Sequence, residues 1–189
     1  MITVMYLLLT IAALAAVLLL LRSVVARYLK YRGTMVVTCP ETRTPTAVEV
    51  DARHAAISAV RGKPDLRLRD CSRWPERQGC GQDCLTQIEE SPEGCLVRSI
   101  LTQWYQGKVC VYCGQLFGKI HWHDHKPALM NAERRTVEWQ EVPPEMIPEV
   151  LSTHLPVCWD CHLAESFRRE HPELVVDRNR TTGVHITQG

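Results

Sequence analysis

Four of the nine cysteines fall into two Cys-x-x-Cys pairs, Cys110 and Cys113 in "CVYCG" and Cys158 and Cys161 in "CWDCH". Two such pairs supply four sulfurs for the tetrahedral all-thiolate arrangement that zinc prefers. Gly114 follows the first pair and offers the positive φ that lets backbone N–H groups turn onto thiolates. The second pair opens a predicted helix, whose free N–H groups and positive dipole end favour the thiolate form. A further set, Cys39, Cys71, Cys80 and Cys84, has irregular spacing, with Pro40, Gly79 and Gly81 providing sharp turns. It predicts a second four-cysteine site and a duplicated plan, hairpin first and helix-borne cysteines last. Cys95 is expected to be a core residue.

Other chemistries compete for the same residues. Cys158-Trp159-Asp160-Cys161-His162 resembles the c-type haem attachment signature. That reading requires export and leaves Cys110 and Cys113 without a partner. An iron–sulfur cluster on Cys71, Cys80, Cys84 and Cys95 is the other redox alternative, although the compact cysteine run of common ferredoxins is missing. A thioredoxin-like pair lacks its βαβ context. In "HWHDH" a strand would place His121, His123 and His125 on one face. With His162 they are candidates for an additional metal site or for groups that support one, and they carry the alternative of a His-metal-dependent enzyme or metal-handling protein. No Walker loop, dinucleotide fingerprint, Gly-x-Ser-x-Gly or His-Glu-x-x-His is present, so an enzyme is not the expected class.

The elements that position these groups begin with an apolar run. Met1 to Leu21 carries no charged side chain, and its 21 residues as a helix would cover roughly 30 Å, the thickness of a bilayer's hydrocarbon core. Arg22, Arg27, Lys30 and Arg32 follow with no acid among them. The positive-inside rule then places the amino terminus outside and the Cys-rich body in the cytoplasm. A cleavable signal peptide is the alternative, and it lacks its positive leading region. Cytoplasmic thiols stay reduced, which leaves metal ligation as the economical use for nine cysteines.

The chain holds 22 basic and 21 acidic side chains. With the four basic residues before Gly33 set aside, the body has 18 against 21, a formal charge of −3. That is not the footprint of a nucleic-acid binder. The expected fold class is α+β: an N-terminal transmembrane helix, then a small metal-stabilised body of β-hairpins and short helices. The expected divisions are 1–34 anchor and basic segment, 35–107 first Cys-rich unit, 108–176 second Cys-rich unit and 177–189 polar tail.

Within the body, Met35 to Thr38 and Ala47 to Val50 read as a hairpin. Asp51 reads as a helix N-cap. Leu66 to Leu68 reads as a strand leading to Cys71. A helix from Cys95 to Tyr105 would present Leu96, Ile100 and Trp104 on one face. Residues 108–125 read as a hairpin about Gly114 and Gly118, and "TVEWQEVP" as a strand. Pro144 to Thr153 and the segment after Cys158 read as helices.

In shape, residues 108 to 170 resemble a treble-clef or zinc-ribbon domain. The resemblance implies one structural zinc, and the duplicated plan a second. The expected function is that of a membrane-anchored zinc-binding accessory or adaptor protein. It would hold lipid through residues 1–32 and dock to, or help assemble, a larger membrane protein complex. Electron transfer through an iron–sulfur cluster or haem c is the alternative.

Overall fold

The computed structural model describes residues 2–74, 76–77 and 79–174; the polar tail expected over 177–189 lies outside them. Helix α1, Ile2–Tyr31, has 30 residues and is about 45 Å long at the usual rise. It is long and apolar enough to cross a membrane. Its side chains are exposed until Val24; then Val24, Arg27, Tyr28 and Tyr31 become covered, spaced as one helical face. That face packs on α2, Ala52–Ser58, whose Ala52, Ala55 and Ala56 are buried. The small side chains let the two helices approach closely.

Gly33 ends the approach from α1 at φ 123° and turns the chain into β1, Thr34–Thr38, which pairs antiparallel with β2, Pro45–Val50. β3, Leu68–Cys71, pairs antiparallel with β2, and the sheet order is β1-β2-β3. The pleat divides β1 between two cores. Met35 and Val37 join Tyr31, Val48, Val50, Leu68 and Ile88. Val36 points the other way, to Val97, Leu101 and Ile147.

Asp51 caps α2 as its sequence predicts, accepting the His54 backbone N–H at 3.0 Å. The same carboxylate takes two hydrogen bonds from the Arg67 guanidinium, at 3.1 and 2.6 Å. The His54 N–H first and Arg67 second hold its carboxyl below the usual range.

Three short helices follow, α3 Leu85–Glu90, α4 Pro92–Cys95 and α5 Val97–Tyr105. The helix expected from Cys95 is broken at Leu96, whose ψ of 119° is extended. Its buried face is Val97, Leu101 and Tyr105, one residue on from the expected Leu96, Ile100 and Trp104, which are half-buried. The reason is that this stretch lies between two cores: Leu96 packs on the first and Ile100 on the second.

The second sheet has order β5-β4-β6, all antiparallel, from β4 Ala128–Met130, β5 Thr136–Glu138 and β6 Leu155–Val157. α6, Ile147–Thr153, precedes β6, and α7, Trp159–Glu170, follows it. The two sheets are tied by α5. Its Tyr105 hydroxyl donates to the Ala128 carbonyl at 2.7 Å, and Trp104 Nε1 to the Leu151 carbonyl at 2.9 Å.

Two outcomes check this packing in urea melts of the full chain in detergent. Tyr31→Ala removes a buried aromatic and costs about 3 kcal/mol, whereas Leu19→Ala, on the exposed length of α1, leaves the melt of the body unchanged. Asp51→Ala costs about 1 kcal/mol at neutral pH. Because the Asp51 carboxyl is depressed in the folded state, its stabilisation is present above the ordinary carboxylate value and lost as pH falls through the folded one. The gap between wild type and Asp51→Ala therefore closes in acid.

Candidate metal centre

Cys110 and Cys113 lie on a tight turn. The Cys110 N–H donates to the Gln115 carbonyl at 2.9 Å, and the Gly114 N–H returns to the Cys110 carbonyl at 2.8 Å. Gly114 sits at φ 70°, the left-handed conformation that glycine adopts without steric cost. The strands expected on either side are reduced to one antiparallel bridge, Val109 to Leu116. The turn is seated on β6 by the Val111 N–H, which donates to the Pro156 carbonyl at 3.0 Å. β6 then delivers Cys158 as the N-cap of α7, and Cys161 lies in the first turn of that helix.

The ligand atoms of Cys110, Cys113, Cys158 and Cys161 all lie within 4.8 Å of one another. A tetrahedral ion with metal–sulfur bonds of about 2.3 Å separates its sulfurs by about 3.8 Å. Cys113 Sγ and Cys158 Sγ are 3.8 Å apart. The donor set therefore fits a thiolate-binding ion such as zinc in chemistry and in scale. Cys110 is buried and Cys113 exposed, with Cys158 and Cys161 between them.

Electrostatics at the cluster are divided. Burial works against ionisation of Cys110, but the N–H groups of Cys113, Cys158 and Tyr112 and the Cys113 thiol outweigh it, bringing Cys110 down to about 7. The Cys158 N–H reaches the Cys110 sulfur at 3.3 Å. Burial pushes Cys158 and Cys161 up, and for Cys161 the neighbouring sulfurs add to it. One thiolate is thus favoured by the protein alone, and a dication would bring out the others.

The histidines do not share a strand face. His121 to His125 form a turn, closed by the His125 and Asp124 N–H groups donating to the His121 carbonyl at 3.1 and 3.3 Å, and all three rings are exposed. His121 and His125 edge a hollow with Asp160, while His123 lies in a different one beside Arg32. Among the described residues they do not gather into a metal-sized group. His162 is buried, with Nε2 3.8 Å from Glu138 and no partner for Nδ1.

Cys39, Cys71, Cys80 and Cys84 line a single cavity of about 40 Å³ in the first unit. They are not drawn to the spacing of the first cluster. Burial first, then the charges of Cys71, Cys80 and Cys39, pushes the Cys84 thiol up to about 11. Cys95 is outside this cavity; its thiol donates to the Gln87 carbonyl at 3.7 Å within the first core.

A side-chain clamp with no sequence signature holds α3 over Cys39. The Gln87 side chain accepts the Thr38 N–H at 3.0 Å and donates to the Thr38 carbonyl at 2.7 Å. A lone glutamine in a helix gives no sign of this in the sequence.

The chain matches no protein-family model, no curated protein and no solved structure.

At the turn itself, no atom within 4 Å would obstruct a Cβ on either Gly114 or Gly118, and only Gly114 has positive φ. Gly114→Ala should therefore lower stability by about 1–2 kcal/mol through backbone strain alone, and Gly118→Ala should change it little. Urea melts of the two variants check the difference.

Proposed function

We propose that this chain is a membrane-anchored adaptor or accessory protein, in which zinc bound by Cys110, Cys113, Cys158 and Cys161 holds the surface that docks to a larger membrane complex. The observation that carries this reading is the convergence of four sulfurs to within 4.8 Å of one another, with Cys113 and Cys158 at the 3.8 Å of a tetrahedral site. Four thiolates saturate a zinc ion. A catalytic zinc keeps an open position for water or substrate, and this donor set leaves none.

Zinc here would stabilise rather than react. The second sheet is made of strands of three residues each, too short to persist on their own pairing. Metal binding contributes folding free energy directly in such units. Zinc is favoured over haem because Cys158 and Cys161 both face Cys110 and Cys113, and the His162 ring nitrogen faces Glu138.

The membrane part of the proposal rests on α1, with Arg22, Arg27, Lys30 and Arg32 on the side taken as cytoplasmic. Asp51 to Arg53 lie beside Tyr28 and Arg32, and the turn of 3-10 helix after α2 also packs on α1. α2 thus runs back along α1 toward its apolar length. Ile57 and Val60, at that end, are exposed apolar side chains that suit the headgroup boundary.

The test uses the full chain, purified in mild detergent without a metal-affinity tag and analysed for elements and for native size. We expect bound zinc, negligible iron, and migration within an assembly larger than the chain's own micelle. Cys113→Ser should lose one zinc per chain and leave that assembly, whereas Cys95→Ser should do neither. Stoichiometric iron in place of zinc, or a wild-type chain that migrates alone from native membranes, would overturn the reading.

A further inference from the structure

We propose that Cys39, Cys71, Cys80 and Cys84 form a second mononuclear thiolate centre for zinc, built on a knuckle in which Thr42 stands where the first centre has its second cysteine. This site is independent of the adaptor reading.

The two turns share one set of hydrogen bonds. In the first unit the Cys39 N–H donates to the Thr44 carbonyl at 2.9 Å, and the Arg43 N–H returns to the Cys39 carbonyl at 2.7 Å. In the second the Cys110 N–H donates to Gln115 and the Gly114 N–H returns to Cys110. The residue four positions after the cysteine is left-handed in both, Arg43 at φ 57° and Gly114 at φ 70°. The flanking strand register is also the same: Thr38 pairs with Pro45, and Val109 with Leu116. A non-glycine residue held left-handed is uncommon, and here it reproduces the turn that presents Cys110 and Cys113.

By this correspondence Thr42 replaces Cys113, so the first knuckle offers one sulfur instead of two. The other three come from elsewhere. Cys71 ends β3, opposite Val48 of β2. Cys84 caps α3, as Cys158 caps α7, and Cys80 precedes it in a loop tied to β3 by the Leu68 N–H, which donates to Gln82 Oε1 at 2.9 Å. The Gln87 clamp on Thr38 sets α3 above the knuckle.

All four cysteines line the same cavity, whose volume of about 40 Å³ accommodates an ion. Arg73 and Arg77 share its lining. Their guanidinium groups suit the double negative charge of a zinc ion bound by four thiolates.

The test is zinc content of the reduced full chain in detergent, with zinc chloride as the probe. Wild type should bind two zinc ions per chain. Cys80→Ser and Cys113→Ser should each bind one, the double variant none, and Cys95→Ser two. Should Cys80→Ser fail to fold, thiol alkylation mapped on the wild type replaces it: zinc should protect Cys39 and Cys80 by tenfold or more in rate, and leave Cys95 unchanged. One zinc per chain, dependent on Cys113, would overturn the second centre and leave the proposed function standing. Iron with inorganic sulfide, lost in Cys80→Ser, would also overturn it. No zinc at all would sink both.

Discussion

The Cys110 sulfur lies where the second unit closes. It accepts the Cys158 N–H, which fixes the start of α7 against the knuckle, and it belongs to the core that includes Ala128, Met130 and Val157. Every strand of that sheet is short, and β4 is buried along its whole length. Hydrogen-bonded pairing over three residues gives little stability in isolation. The sheet, the knuckle and the helix therefore depend on a junction where sulfur, backbone amide and apolar side chains meet.

The recurrence of the same turn in the first unit shows which parts of that device are separable. The hydrogen-bond pattern and strand register persist where arginine stands in place of glycine and threonine in place of a cysteine. Backbone shape is what the turns over residues 39–44 and 110–115 share, and the residue types adjust around it. Arg43 is held left-handed, at φ 57°, where a glycine would be unstrained, and its N–H is tied to the Cys39 carbonyl at 2.7 Å. The Thr42 hydroxyl pairs with that of Thr44 at 2.8 Å, and Thr42 is the leading cause that lowers the Cys39 thiol's pKa.

The sequence made some of this legible and hid the rest for physical reasons. Two Cys-x-x-Cys pairs announce their convergence because the spacing is itself the geometry of a knuckle or a helix start. Asp51 is legible because capping is local. β4 is hidden, since a three-residue strand buried on both faces shows no alternation to read, and β6, with Leu155 exposed and Pro156 and Val157 buried, is too short to show one. The "HWHDH" segment alternates like a strand, yet its amides fold back on His121 and make a turn. The knuckle at Cys39 is obscured because its glycine and second cysteine are absent, and only backbone hydrogen bonds reveal it.

The end of α1 is part of the body: Tyr28 and Tyr31 belong to the first core, beside Val48 and Val50. No flexible linker lies between the apolar helix and the folded domain, so the helix axis and the first sheet form one lever. If α1 crosses a bilayer, a change in bilayer thickness that alters its tilt would rotate the whole domain above the lipid. The direction in which the four-cysteine cluster faces would then be set by lipid composition as well as by any partner.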